Sequence, residues 1–209
     1  MLYKDMRDNL KTGDIVLFSG NSLISSGIKI VTSSVWSHVG MILKIPQYDM
    51  VFVWESTTLT KLADAIDGKT KQGVQLVLLS DRVDTYDGIM SVRHLSKEVS
   101  EHSVFELMKF RQTVKNRPYE ESKIELIKSA YDGWLGDNDE DLSSLFCSEL
   151  VAEAYQRMKL VSEKLPSNEY TPADFSAAKS KSIDWLNGIS LGPEILITRS
   201  GIHNPADQY

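Results

Sequence analysis

Short apolar runs of five to eight residues, several of them alternating, dominate the first half of the chain, and these are strand patterns. Asp14 to Phe18 is the first strand, introduced by the turn signal Thr12-Gly13-Asp14. Ser37 to Leu43 reads as a buried strand, Pro46 to Asp49 as a turn, and Met50 to Ser56 as the hairpin partner. Gly73 to Leu79 and Gly88 to Leu95 follow as strands, with a loop over Asp84 to Asp87. Between the first two strands, Asn21 to Thr32 sets Leu23, Ile24, Ile28 and Val31 near helical spacing, with Asn21 or Ser22 as its cap. Residues 57 to 72 are a polar connection with room for one helical turn around Leu62 to Ile66.

The period then lengthens to that of helices. Ser103-Val104-Phe105-Glu106 has the form of a capping box, at or shortly after a helix start. That helix turns Val104, Leu107, Met108 and Val114 inward and stops before Pro118. A second helix is expected over Glu120 to Tyr131, then a loop over Asp132 to Asp141, rich in Gly, Asp and Asn. Ser143 or Ser144 is expected to cap a helix from Leu145 to Leu160. Thr171 to Phe175 is a short helix start with proline at its first position, and Glu194 to Thr198 is a last strand. Strands, then helices, then a closing strand predict an α+β fold, and no linker or repeat divides residues 1–209 into more than one domain.

Composition narrows the function. At 42% hydrophobic and 25% charged residues, the 209-residue chain can build a core and is not disordered. A net charge of −6 argues against a nucleic-acid partner held by phosphate neutralisation. The single cysteine excludes an internal disulfide and a thiolate zinc or iron–sulfur site within one chain. No pair among His38, His94, His102 and His203 has metal-ligand spacing, and the acidic stretch Gly136 to Asp141 lacks the Gly and Glu of a calcium loop, so neither a metal nor another cofactor is expected. The charged N-terminus has no apolar signal core, and the longest apolar runs are too short to span a bilayer. The expectation is a cytoplasmic protein without stable membrane insertion; nothing in the chain specifies an oligomeric state.

Cys147 falls in the first turn of its expected helix, where free amides and the macrodipole favour a thiolate and could supply an oxyanion donor. Val151, Ala154 and Met158 follow it at helical spacing, so it faces the buried side. His38 starts one hairpin strand and Glu55 ends the other, so both lie at one edge of the sheet. A carboxylate beside an imidazole fixes its tautomer, and a helix docked at that edge would add Cys147. Taken singly, each residue has a plainer reading: a core thiol, a structural histidine and a surface carboxylate.

Taken in order, Gly13-Asp14-Ile15-Val16, Trp36-Ser37-His38-Val39-Gly40, Val53-Trp54-Glu55-Ser56-Thr57, Gly73-Val74, Arg117-Pro118-Tyr119 and Phe146-Cys147-Ser148-Glu149-Leu150-Val151 resemble the circularly permuted NlpC-type papain-like hydrolases, in their YiiX-like branch. Lecithin:retinol acyltransferase is a more remote relative of the same kind. The resemblance covers roughly residues 12 to 155, with Tyr170 to Asp174 similar to a downstream motif. It implies a papain-like antiparallel sheet packed against helices, with Cys147 as nucleophile, His38 as base and Glu55 as third residue. Asp14, Trp36, Trp54 and Tyr119 are candidates for contacting substrate, each with turn or core packing as its alternative.

The implied activity is that of a thiol hydrolase, an amidase or peptidase acting on a peptide or small-molecule amide. The alternatives are a lipid acyl hydrolase or acyltransferase of the same fold, and a silent ligand-binding module. The absence of a basic amphipathic helix favours the amide. Glu55→Gln is expected to lower the rate but leave residual activity, because a neutral amide can still hold the ring.

Overall fold

The computed structural model describes residues 1–20, 34–115, 139–179 and 182–198; of residues 139–146 the backbone alone is described. The expected helices over 21–32 and 120–131, and Tyr119, lie outside the described residues. The described part is α+β. Six strands form one open antiparallel sheet: β1 (Ile15–Gly20), β2 (His38–Ile45), β3 (Met50–Thr57), β4 (Gly73–Leu78), β5 (Gly88–Arg93) and β6 (Ile195–Ile197). Their order across the sheet is β4-β3-β2-β1-β5-β6. The helices are α1 (Tyr3–Met6), α2 (Leu79–Thr85), α3 (Glu101–Thr113) and α4 (Asp139–Arg157).

Both faces of the sheet are covered, so the strands read as near-continuous apolar runs. One face carries Leu17, Met41 and Trp54 into a large core with Leu107 of α3 and Val151 and Tyr155 of α4. The other face carries Phe18, Ile42 and Val53 into a smaller core with Met6, Leu10, and Leu79 and Val83 of α2. The α2 helix is the main departure from the sequence pattern, which ran a strand through Leu79 and a loop over 84–87. Seven residues offer only Leu79 and Val83 as an apolar i, i+4 pair, too little for a periodic signal.

The β2–β3 hairpin turns through a 3₁₀ turn, Pro46–Tyr48, and Asp49 in the left-handed region at φ 49°. Its register pairs Met41 with Trp54 and Ile45 with Met50. Next along the pairing, Gly40 lies against Glu55: a Cβ on Gly40 would stand 2.6 Å from Val53 Cγ2 and 3.2 Å from Glu55 Cβ. Helix α3 is capped by Ser100, whose hydroxyl accepts from Ser103 N, so its start lies before the Ser103 motif. Helix α4 is tied to the first strand by the Tyr155 hydroxyl, which donates to the Gly13 carbonyl at 2.6 Å. At the β4 margin, the buried Asp64 accepts from Leu76 N at 2.9 Å through Oδ2, and Ala65 N donates to Leu76 O at 2.7 Å. Among the described residues, no helix is long and apolar enough to cross a membrane.

Candidate functional site

His38 begins β2 and Glu55 stands near the end of β3, as the hairpin pattern requires. Strand alternation puts both on the face with Gly40, Ile42 and Val53, beneath α2. The absent side chain at Gly40 leaves the space across which they meet. His38 Nε2 lies 2.7 Å from Glu55 Oε2, and the side chains are 9% and 0% exposed. Phe18 packs against the imidazole with ring centroids 5.0 Å apart, holding the ring from the neighbouring strand.

Glu55 has a second partner that sequence reasoning missed. Arg82, from α2, donates through Nη2 to Glu55 Oε1 at 2.5 Å, and the two side chains are 1% and 0% exposed. Gln75 of β4, opposite Glu55 in the register, adds a longer contact from Nε2 to Oε1 at 3.4 Å. A lone arginine in a short polar segment ordinarily reads as a surface residue. Only the packing of α2 across the sheet buries this one.

Burial works against the charge on Glu55, but the Arg82 guanidinium and the His38 hydrogen bond overcome it and hold the carboxyl at about 2. Burial likewise opposes a proton on His38. The charge and side-chain hydrogen bond of Cys147, then the hydrogen bond and charge of Glu55, outweigh it and carry the imidazole to about 10. Cys147 belongs to the larger core and has no exposed surface. It therefore meets His38 where β2 begins, at the end of the sheet. The second ring nitrogen, Nδ1, is buried and makes no hydrogen bond of good geometry.

The helix that carries Cys147 starts earlier than expected. It runs from Asp139, through the serines read as its cap, so Cys147 stands more than two turns inside it. Free N-terminal amides are therefore not what would favour a thiolate at Cys147. At that depth the Cys147 N–H belongs to the helical ladder and is no oxyanion donor.

Of the other candidates, Asp14 is turned elsewhere. Its carboxylate accepts from Leu95 N and Lys11 N, both at 2.9 Å, and lies 2.7 Å from His94 Nδ1. His38 pairs with Phe18, four residues along β1 from Asp14, which is about 13 Å of strand. Trp36 and Trp54 are core residues at 3% and 1% exposure. The Trp36 indole donates to Glu194 Oε1 at 3.0 Å, and Trp54 meets the edge of Phe110 at 5.9 Å. Trp54 also borders a shallow, open cleft with Asp64, Lys71 and Arg111, which none of His38, Glu55 and Cys147 lines. Among the described residues, no group of three or more His, Cys, Asp or Glu side chains is placed to hold a metal ion.

No family model matches the chain, and no curated protein matches its sequence. Among solved structures, the chain is similar to the crystal structure of metalloprotein yiiX from Escherichia coli O157:H7, with 20% sequence identity and a TM-score of 0.48. The likeness covers 89% of this chain and 88% of that one.

Proposed function

We propose that the chain is a cysteine hydrolase with a permuted papain-like fold, cleaving an amide in a peptide or amino-acyl linkage through an acyl-enzyme on Cys147. One observation carries the reading: the buried series Arg82, Glu55, His38 and Cys147, in which Arg82 and His38 are both hydrogen-bonded to Glu55 and the Cys147 charge acts on His38. A charged series of this kind is costly to bury and finds a use where a thiol must be deprotonated.

In this reaction His38 takes the Cys147 proton on Nδ1, and the sulfur attacks the carbonyl carbon. The imidazolium, steadied by Glu55 at Nε2, returns the proton to the departing amine. His38 then draws a proton from water, whose oxygen attacks the thioester, releasing the acid and restoring the thiol. Loose alignment at Nδ1 is ordinary for such a base without substrate. The complete burial of Cys147 is the observation on the side of an inert core thiol.

The test measures turnover of peptide, amino-acyl and lipid-ester substrates by wild type, Cys147→Ala and His38→Ala, with iodoacetamide labelling of the only cysteine near pH 6. Amide cleavage by the wild type should fall by about 10³-fold or more in both variants while their melts stay cooperative. The thiol should label stoichiometrically. Turnover of lipid esters alone would transfer the substrate class to lipids. Full activity in Cys147→Ala, or a silent wild-type thiol, would remove the nucleophile and leave a binding module.

A further inference from the structure

We propose that Arg82, seconded by Gln75, is a positioning residue that fixes which end of the residue-55 side chain faces His38, so that a proton on His38 Nε2 requires a carboxylate at position 55. The kinetic consequence rests on the hydrolase reading above; the position of the proton does not.

Arg82 and the Gln75 amide nitrogen both donate to Glu55 Oε1, and an arginine can do nothing but donate. Glu55 Oε2 is left for His38 Nε2, 2.7 Å away. A carboxylate accepts at both oxygens, so Nε2 must hold a proton, whether the ring is neutral or charged. Nδ1 is then the nitrogen free to take one from Cys147. While residue 55 is a carboxylate, the outcome does not depend on Arg82.

An amide at position 55 breaks that indifference. One end only accepts and the other only donates. Arg82 claims the accepting end at the place of Oε1, which turns the NH₂ group towards His38 Nε2. Two donors cannot share that contact, so Nε2 sheds its proton and becomes the acceptor. The ring proton moves to Nδ1, which can no longer act on the thiol. Glu55→Gln is thus a severe substitution, contrary to the expectation that a neutral amide would still hold the ring. Removing Arg82 as well frees the amide to turn round, and the double variant regains what the single one lost.

The experiment records ¹⁵N spectra of histidine-labelled wild type, R82M, E55Q and E55Q/R82M, with His38 assigned by its own substitution, alongside the Cys147 alkylation rate. Nε2 should be protonated in wild type, R82M and E55Q/R82M, and bare in E55Q alone. Alkylation should fall by about 10³- to 10⁴-fold in E55Q, the scale of a wrong tautomer in a triad, and recover at least tenfold in the double variant. If E55Q does not melt cooperatively, E55Q/R82K replaces it, since lysine also only donates, and the same bare Nε2 is expected. A protonated Nε2 in E55Q, or a bare one in E55Q/R82M, would overturn the proposal. Should the ring proton move as described while the thiol's reactivity does not follow, the positioning role stands and the hydrolase reading falls.

Discussion

Arg82→Met should cost the fold several kcal/mol, and acid should give part of it back. The substitution keeps most of the side-chain volume and removes one charge of a pair whose members are 1% and 0% exposed. Charges about 4 Å apart attract by roughly 4 kcal/mol at an effective dielectric near 20. Breaking such a buried pair from one side costs about 3–5 kcal/mol, because the remaining ion keeps its desolvation penalty. For a domain of this size that is roughly 6–20 °C in Tm. The sign with pH follows from Glu55. In the wild type its pKa is lowered from 4.5 to about 2, so its contribution is present above pH 4.5 and lost as pH falls through 2. Without Arg82 the strongest influence holding it down is gone, and the folded state takes up a proton at higher pH. The deficit of Arg82→Met should be largest at pH 7 and shrink towards pH 4.5. Urea melts of both proteins at the two pH values read this directly. A deficit under about 1 kcal/mol at pH 7 with unchanged m-value, or one that acid does not relieve, would refute the reasoning.

Gly40→Ala should destabilise by about 1–3 kcal/mol through overpacking, since its Cβ would stand 2.6 Å from Val53 Cγ2 and 3.3 Å from the Trp54 carbonyl; a urea melt measures it. Tyr155→Phe should cost about 1–3 kcal/mol in the same assay, because it strips the Gly13 carbonyl of a buried donor. His38 has its pKa raised from 6.5 to about 10, so its contribution is fully present below pH 6.5 and disappears as pH rises through 10. Wild-type stability should therefore decline over that window more steeply than that of Cys147→Ala, and parallel curves would contradict the thiol's part in the shift.

His38 and Glu55 were legible because hairpin strands announce themselves: two apolar runs about a short turn fix direction and register, and register brings the ends together. Cys147 was legible as a buried helical residue from its spacing to Val151, Ala154 and Met158. Its depth in the helix was not, because serines and acidic residues serve as well in a first turn as in a cap or loop. Arg82 was invisible for a different reason. Its burial depends on how a seven-residue helix packs over a strand twenty-seven positions away, and no local pattern encodes that distance. Asp14 is legible as a turn residue, but its distance from His38 is not: the pairing of His38 with Phe18 puts that turn at the far end of the strand.

The way Asp64 and Ala65 close on Leu76 bears on self-association. Leu76 has its outward N–H and C=O occupied from the same chain, by a carboxylate and an amide standing where a further strand would bind. An open sheet otherwise offers its margin as a template for a second copy. Asp64 is itself held by Ile66 N at 2.8 Å and by Lys71 at 3.2 Å, so this plug is locked rather than merely resting there. The middle of the β4 edge is thereby closed to a pairing strand, and that closure depends on one buried aspartate.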